Sequence, residues 1–266
     1  MSKRQDHFRY TIRRLSEGAS NRQIAKELNV HHTTIAYWIN NGFQTKSRSH
    51  TLNHDEALKL CQTHGADYAY ILGAYLGDGT ISETPKTFRM RIFNDMRYPD
   101  IIADQKRSLG RLFSQNKISE VNVKNSKCLI VSMYNSSLPK FFPQHGPGTK
   151  KTRDVSLKDW QWDIVKEEPE CFIKGLIDSD GSCYIQTQTN RSGLKRYYKK
   201  YNFTNTSMDI VDLMKKTLEM LDINYLSVQK KVREENAPAI VITINTNQDV
   251  AKMDSLYDIA ENKLRK

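Results

Sequence analysis

A ten-residue pattern that occurs twice constrains this chain more than any other feature. The first copy is Tyr70-Ile71-Leu72-Gly73-Ala74-Tyr75-Leu76-Gly77-Asp78-Gly79, and the second is Phe172-Ile173-Lys174-Gly175-Leu176-Ile177-Asp178-Ser179-Asp180-Gly181. Each reads as a mostly apolar helix with small residues four apart, closing on Asp-Gly. Residues four apart share a helical face, so Gly73 with Gly77, and Gly175 with Ser179, form strips along which two such helices approach closely. Gly79 and Gly181 are expected to be left-handed residues that stop each helix. Asp78 and Asp180, 102 positions apart, then stand at the end of the contact.

The stretches C-terminal to the two copies also repeat one another. After Asp78-Gly79, alternation of apolar and polar residues predicts a short strand, a second strand over 88–93, and a helix over 99–113. Strands over 121–123 and 128–133 and a helix over 137–142 complete that half. After Asp180-Gly181 come strands over 182–187 and 198–204, a helix over 208–221, strands over 226–232 and 239–244, and a helix from 248. Each half is thus α-β-β-α-β-β-α, an internal duplication of the α+β class, with halves over 55–155 and 156–266. One face of each predicted sheet is apolar, as befits a sheet packed on a core. The other is basic and polar, with Lys86, Arg89, Arg91, Lys124 and Lys127 in the first half. Gln186, Gln188, Arg191, Lys195, Arg196, Lys230, Lys231 and Arg233 supply it in the second. Two such faces fit a saddle lying in the major groove of DNA, which admits a β-ribbon.

Charge supports a polyanionic partner. The 266 residues carry a formal net charge of +11, which favours nucleic acid and makes binding salt-dependent. With 38% hydrophobic residues the chain can bury a core, and no apolar run reaches the roughly 18–20 residues of a membrane span. The N-terminus lacks the apolar stretch of a secretory signal, so an intracellular location in cytoplasm, nucleoid or an organelle matrix is expected. Cys61, Cys128, Cys171 and Cys183 form no CxxC pair and read as reduced thiols, with neither a zinc site nor a disulfide framework.

Residues 1–42 read as a small all-α module. A helix over 6–17 is broken by Gly18. Ser20 with Gln23 forms a capping box for a second helix whose inner stripe is Ile24, Ala25 and Leu28. Asn29-Val30 turns the chain into a third helix over 32–40, with Ile35, Trp38 and Ile39 packing back. The run from Gly18 to Ile35 resembles the helix-turn-helix of resolvases and many repressors. That resemblance implies His32, Thr33, Ala36 and Tyr37 against base edges, with Arg22 and Lys26 on phosphates. Residues 43–54 read as a basic linker in which Lys46 and Arg48 track a phosphate backbone.

From about Asp55 to Lys266, roughly four fifths of the chain, the paired motifs resemble the LAGLIDADG homing endonucleases in their single-chain, two-motif form. Gly146-Pro147-Gly148-Thr149-Lys150-Lys151 is similar to the basic turn closing the family's first half, and Leu264-Arg265-Lys266 to the close of its second. The resemblance implies a pseudo-two-fold pair of saddle-forming antiparallel sheets and a monomer that cuts both strands of a long DNA site. It further implies that Asp78 and Asp180 bind Mg²⁺ or Mn²⁺, helped by the carbonyls of Gly77 and Ser179. Lys150 or Lys151 would assist one site, and Lys266 or Lys263 the other. The chain departs from the family pattern at Leu76, where the second copy keeps an acid, Asp178. The alternatives are a non-cleaving transcriptional regulator or an RNA maturase on the same scaffold. The retained acids and the leading helix-turn-helix favour a nuclease acting on duplex DNA.

Overall fold

The computed structural model describes residues 3–42, 51–230 and 238–265. Lys46, Arg48, Lys231, Arg233 and Lys266 lie outside the described residues. The chain divides into two compact units, Met1–His50 and Thr51–Lys266.

The first unit contains α1 (Lys3–Ser16), α2 (Asn21–Leu28) and α3 (His32–Asn41). The Ser20 side chain accepts from the Gln23 amide and Gln23 bonds back, so the expected capping box is present. Asn29, left-handed at φ 50°, ends α2. Ile24, Ala25, Ile35 and Trp38 form the core, and Phe8 meets Trp38 edge-on at 6.3 Å. Ile39 does not join it. Coverage by α1 falls on the Trp38 side, and Ile39 is left 42% exposed.

The second unit holds two halves with the expected order α-β-β-α-β-β-α, each preceded by one further helix. The first runs through α4 (His54–Thr63), α5 (Gly65–Asp78), β1 (Gly79–Thr84), β2 (Thr87–Asp95), α6 (Pro99–Leu112), β3 (Ser119–Asn122), β4 (Cys128–Asn135) and α7 (Leu138–Phe141). The second runs through α8 (Asp159–Glu167), α9 (Pro169–Asp180), β5 (Gly181–Thr189), β6 (Lys195–Asn205), α10 (Met208–Met220), β7 (Leu226–Lys230), β8 (Ala239–Ile244) and α11 (Asn247–Arg265). Each half builds one antiparallel four-stranded sheet with the same topology, β1-β2-β4-β3 and β5-β6-β8-β7. Residues 51–53, expected to be linker, already belong to this unit. The Leu52 amide donates to Ser137 Oγ at 2.8 Å, and Asn53 caps α4.

Alternation along the central strands separates a core face from an open face. Met90 and Ile92 of β2, with Val131 and Met133 of β4, are buried, as are Tyr201, Phe203, Ile242 and Ile244 in the second sheet. Arg89 and Arg91 therefore point to the open side, as do Gln186, Gln188, Arg196 and Lys230 by register. Lys86 sits in the β1–β2 turn, and Lys124 and Lys127 in the β3–β4 turn, all exposed. Lys195 differs from the expectation. It shares its strand face with Tyr201 and Phe203, so it points to the helix side although it is exposed at the hairpin end.

Candidate active site

The helices α5 and α9 pack backbone to backbone, and glycine is what allows it. A Cβ on Gly73 would lie 2.5 Å from the Phe172 carbonyl oxygen, and one on Gly175 would lie 2.2 Å from that of Tyr70. A Cβ on Gly77 would meet Ser179 Oγ at 2.0 Å and Asp180 Oδ2 at 3.0 Å. The residues four apart thus face each other across the interface, and the Asp180 carboxylate lies over Gly77.

The glycines that close the two helices serve another purpose than the one expected. Gly79 (φ −89°) and Gly181 (φ −105°) are extended, and each begins a strand. Both are required by crowding. A Cβ on Gly79 would sit 2.5 Å from Tyr75 Cα, and one on Gly181 would sit 2.6 Å from Ile177 Cα. The chain leaves each helix straight into its sheet, and Asp78 and Asp180 stand at the junction.

Packing brings these two carboxylates close enough to interact. Burial, and then the charge of Asp78, push the Asp180 carboxyl up to about 6. Lys150 and a 2.7 Å bond from Asn205 Nδ2 oppose that rise. Asp78 is open to solvent along one edge, but its carboxyl is also raised, chiefly by desolvation, with Lys150 opposing. The Lys150 ammonium donates to the carbonyls of Tyr75 at 2.5 Å and Gly77 at 2.6 Å and rests 5.3 Å from the Tyr75 ring centroid. Burial pushes it down to about 8 against the pull of Asp180 and Asp78. Lys150 is therefore the cation at the interface, while Lys151 is exposed at the rim of the same hollow.

Two hollows flank the helix ends. One is lined by Gly77, Lys150, Lys151, Asp180 and Asn205, and the other by Asp78, Asn94, Asp95, Asp178, Ser179 and Tyr257. They are related by the duplication but differ chemically. Asn205 bonds Asp180, whereas the corresponding Asn94 turns away to pair with Gln105. Lys263, expected near the second hollow, instead pairs with Glu168 at 2.7 Å and with Glu170. Both glutamates belong to the opposite end of α9, roughly 16 Å from Asp180 at 1.5 Å per residue.

The sequence reading missed a buried network beside the interface. Lys174 Nζ bonds Asp178 Oδ2 at 2.7 Å and approaches Asp104 at 3.5 Å. The hydroxyls of Tyr70 and Tyr257 donate to the two oxygens of Asp178 at 3.1 and 3.2 Å. Asp178 thus has a full set of structural partners. Its counterparts in the first copy, Leu72 and Leu76 for Lys174 and Asp178, are both wholly buried. At these two positions the second copy has an ion pair where the first has two leucines. The i,i+4 spacing of Lys174 and Asp178 was the only signal for this pair.

The donor set suits a hard divalent cation, since the Asp78 and Asp180 carboxylates stand at the ends of two packed helices and Ser179 lines one hollow with Asp78. The Gly77 carbonyl is taken by Lys150. Among the described residues one cluster of three candidate metal ligands, Glu168, Glu170 and Cys171, lies elsewhere, and Lys263 already neutralises its glutamates.

In the first unit, Arg22, Lys26, His32, Thr33 and Tyr37 are exposed on α2 and α3. His31 caps α3, its Nδ1 lying 2.8 Å from Thr33 Oγ1.

No family model and no curated protein matches the chain. In structure, the chain is similar to LAGLIDADG homing endonucleases. I-DmoI in complex with DNA and Mn is 13% identical over 73% of this chain and 97% of that one, with a TM-score of 0.49. I-LtrWI bound to target DNA is 11% identical over 73% and 84%, with a TM-score of 0.47. I-SmaMI bound to cleaved DNA is 12% identical over 74% and 86%, with a TM-score of 0.46.

Proposed function

We propose that this chain is a site-specific, Mg²⁺-dependent DNA endonuclease that hydrolyses a phosphodiester on each strand of one long duplex site. The observation that carries this reading is the pair of carboxylates, Asp78 and Asp180, held together at a glycine-lined helix contact between two basic sheet faces. Two such acids repel unless cations neutralise them, and a raised Asp180 is what that repulsion and burial produce.

When bound, a divalent cation would lower the pKa of a water and neutralise charge on the leaving oxygen. Asp78, Asp180 and the Ser179 carbonyl are the groups that would hold it. The protein's own residues do the rest. Asn205 fixes the rotamer of Asp180, and the Gly73–Gly175 contact sets the separation of the acids. Lys150 places positive charge where negative charge develops on the phosphate, a contribution that rises in a desolvated site. Arg89 and Arg91 on one sheet and Arg196 and Lys230 on the other hold the phosphate backbone and base edges of the duplex. Arg89 is pre-aligned by a 2.9 Å bond to Ser132 and by stacking on Tyr134. The first unit, through Arg22, Lys26, His32, Thr33 and Tyr37, extends the contact to a neighbouring stretch of duplex.

Duplexes selected by binding in EDTA and then challenged with Mg²⁺ test this reading. Asp78→Asn and Asp180→Asn should each abolish cutting while leaving affinity within about tenfold, because binding rests on contacts elsewhere. Undiminished cutting by both variants would remove these acids from the chemistry.

A further inference from the structure

The open side of each sheet carries an exposed apolar residue on its edge strand, at the same register in both halves. Val121 of β3 is the partner of Ile130 in β4, and Val228 of β7 is the partner of Val241 in β8. The central strands fix the equivalence. Gly79 faces Ile92, which faces Val131, and Gly181 faces Phe203, which faces Ile242. Ile130 and Val241 each stand one residue before the last of these. Val121 is 41% exposed and Val228 57%, whereas Val241, the cross-strand neighbour of Val228, is buried at 6%.

A β-branched apolar side chain on an open edge strand invites unwanted pairing, and proteins usually blunt such edges with charge. Here it recurs at matched positions on two faces that are rich in basic residues, although Leu226 on the same strand face as Val228 and Tyr134 beside Arg89 are exposed there too. Arg89 and Arg91 share the open face in the first sheet, and Arg196, Lys200 and Lys230 share it in the second. Alternate side chains on one strand face are about 6.7 Å apart, the axial length of two base-pair steps. A strand lying in the major groove therefore sets such side chains against base edges. The apolar feature offered there is the 5-methyl group of thymine.

Resting on the DNA-binding reading above, we infer that Val121 and Val228 each receive a thymine methyl. The two thymines lie one in each half of the site, at positions related by the internal two-fold. The basic residues beside each valine supply affinity, and the valines supply sequence preference at these positions.

The test uses the full chain in EDTA, so that cutting does not intervene. A randomised duplex is selected for binding, and each thymine of the selected duplex is replaced singly by deoxyuridine, which lacks only the methyl. The expected result is one sensitive thymine in each half, its replacement weakening binding about fourfold, the value of one buried methyl. Val228→Ala should erase the discrimination in one half and leave the other intact, and Val121→Ala should do the converse. Specific binding indifferent to every replacement would overturn the inference while leaving the DNA reading in place. Absence of any sequence-selective binding would instead overturn the DNA reading itself. A concentration-dependent dimer in sedimentation, dispersed by Val228→Ala, would mean that a second copy of the chain covers this edge, and would also overturn the inference.

Discussion

At the scale of single residues, the site is defined by what surrounds two carboxylates. Lys150 donates to the Gly77 carbonyl and lies in the field of both acids, so Lys150→Met should cut at least about 100-fold more slowly with duplex affinity nearly unchanged. Single-turnover rates on a bound duplex measure this, and an unaltered rate would make Lys150 a packing residue. Asp180, pushed up to about 6, loses its negative charge as pH falls through that value, so metal affinity should drop there. Titration of Mn²⁺ by calorimetry between about pH 5 and 8 checks the sign. The same shift makes the metal-free protein bind more protons folded than unfolded between about pH 4 and 6, so its stability should fall across that window as pH rises. Asp180→Asn should remove that slope. Of these residues, Asp78 and Asp180 were legible in the sequence because they recur. The choice of Lys150 over its neighbour Lys151 was not, since two adjacent loop residues differ only in where the folded loop points them. Asn205 was hidden because its bond to Asp180 depends on the register of β6.

At the scale of elements, the interface between α5 and α9 decides whether the acids meet. Gly73→Ala and Gly175→Ala each place a methyl inside the van der Waals radius of a facing backbone, which no side-chain motion relieves. Each should cost about 3 kcal/mol or more in urea unfolding and abolish cutting. A loss below about 1 kcal/mol would mean the helices tolerate separation. Beside this contact, Asp178→Ala leaves buried Lys174 with only the more distant Asp104 and strips the Tyr70 and Tyr257 hydroxyls of their acceptor, and it should cost about 3 kcal/mol. Replacing both Lys174 and Asp178 with leucine, as at Leu72 and Leu76, should cost less than the single change and keep cutting. The spacing of small residues foretold the close approach, and the repeat foretold the order of helices and strands along both halves. The extended Gly79 and Gly181 were not legible. A glycine after a helix satisfies a left-handed turn or a crowded exit equally well, and only the position of Tyr75 or Ile177 decides between them.

At the scale of the whole molecule, two sheets of identical topology present basic open faces, and a separate three-helix unit precedes them. Removing residues 1–42 should weaken duplex binding and lower the dependence of log affinity on log salt, since fewer counterions are released. An unchanged slope would show that this unit does not touch the duplex. The central claim is that the carboxylates at the helix ends cut DNA. The most direct measurement is to incubate the full chain with a randomised duplex library in Mg²⁺ or in EDTA and sequence the ends produced. Mg²⁺-dependent breaks on both strands at one recurring sequence, absent with Asp78→Asn, are the expected result. Tight and sequence-selective binding that yields no Mg²⁺-dependent ends would contradict it, leaving a protein that recognises DNA without cutting it.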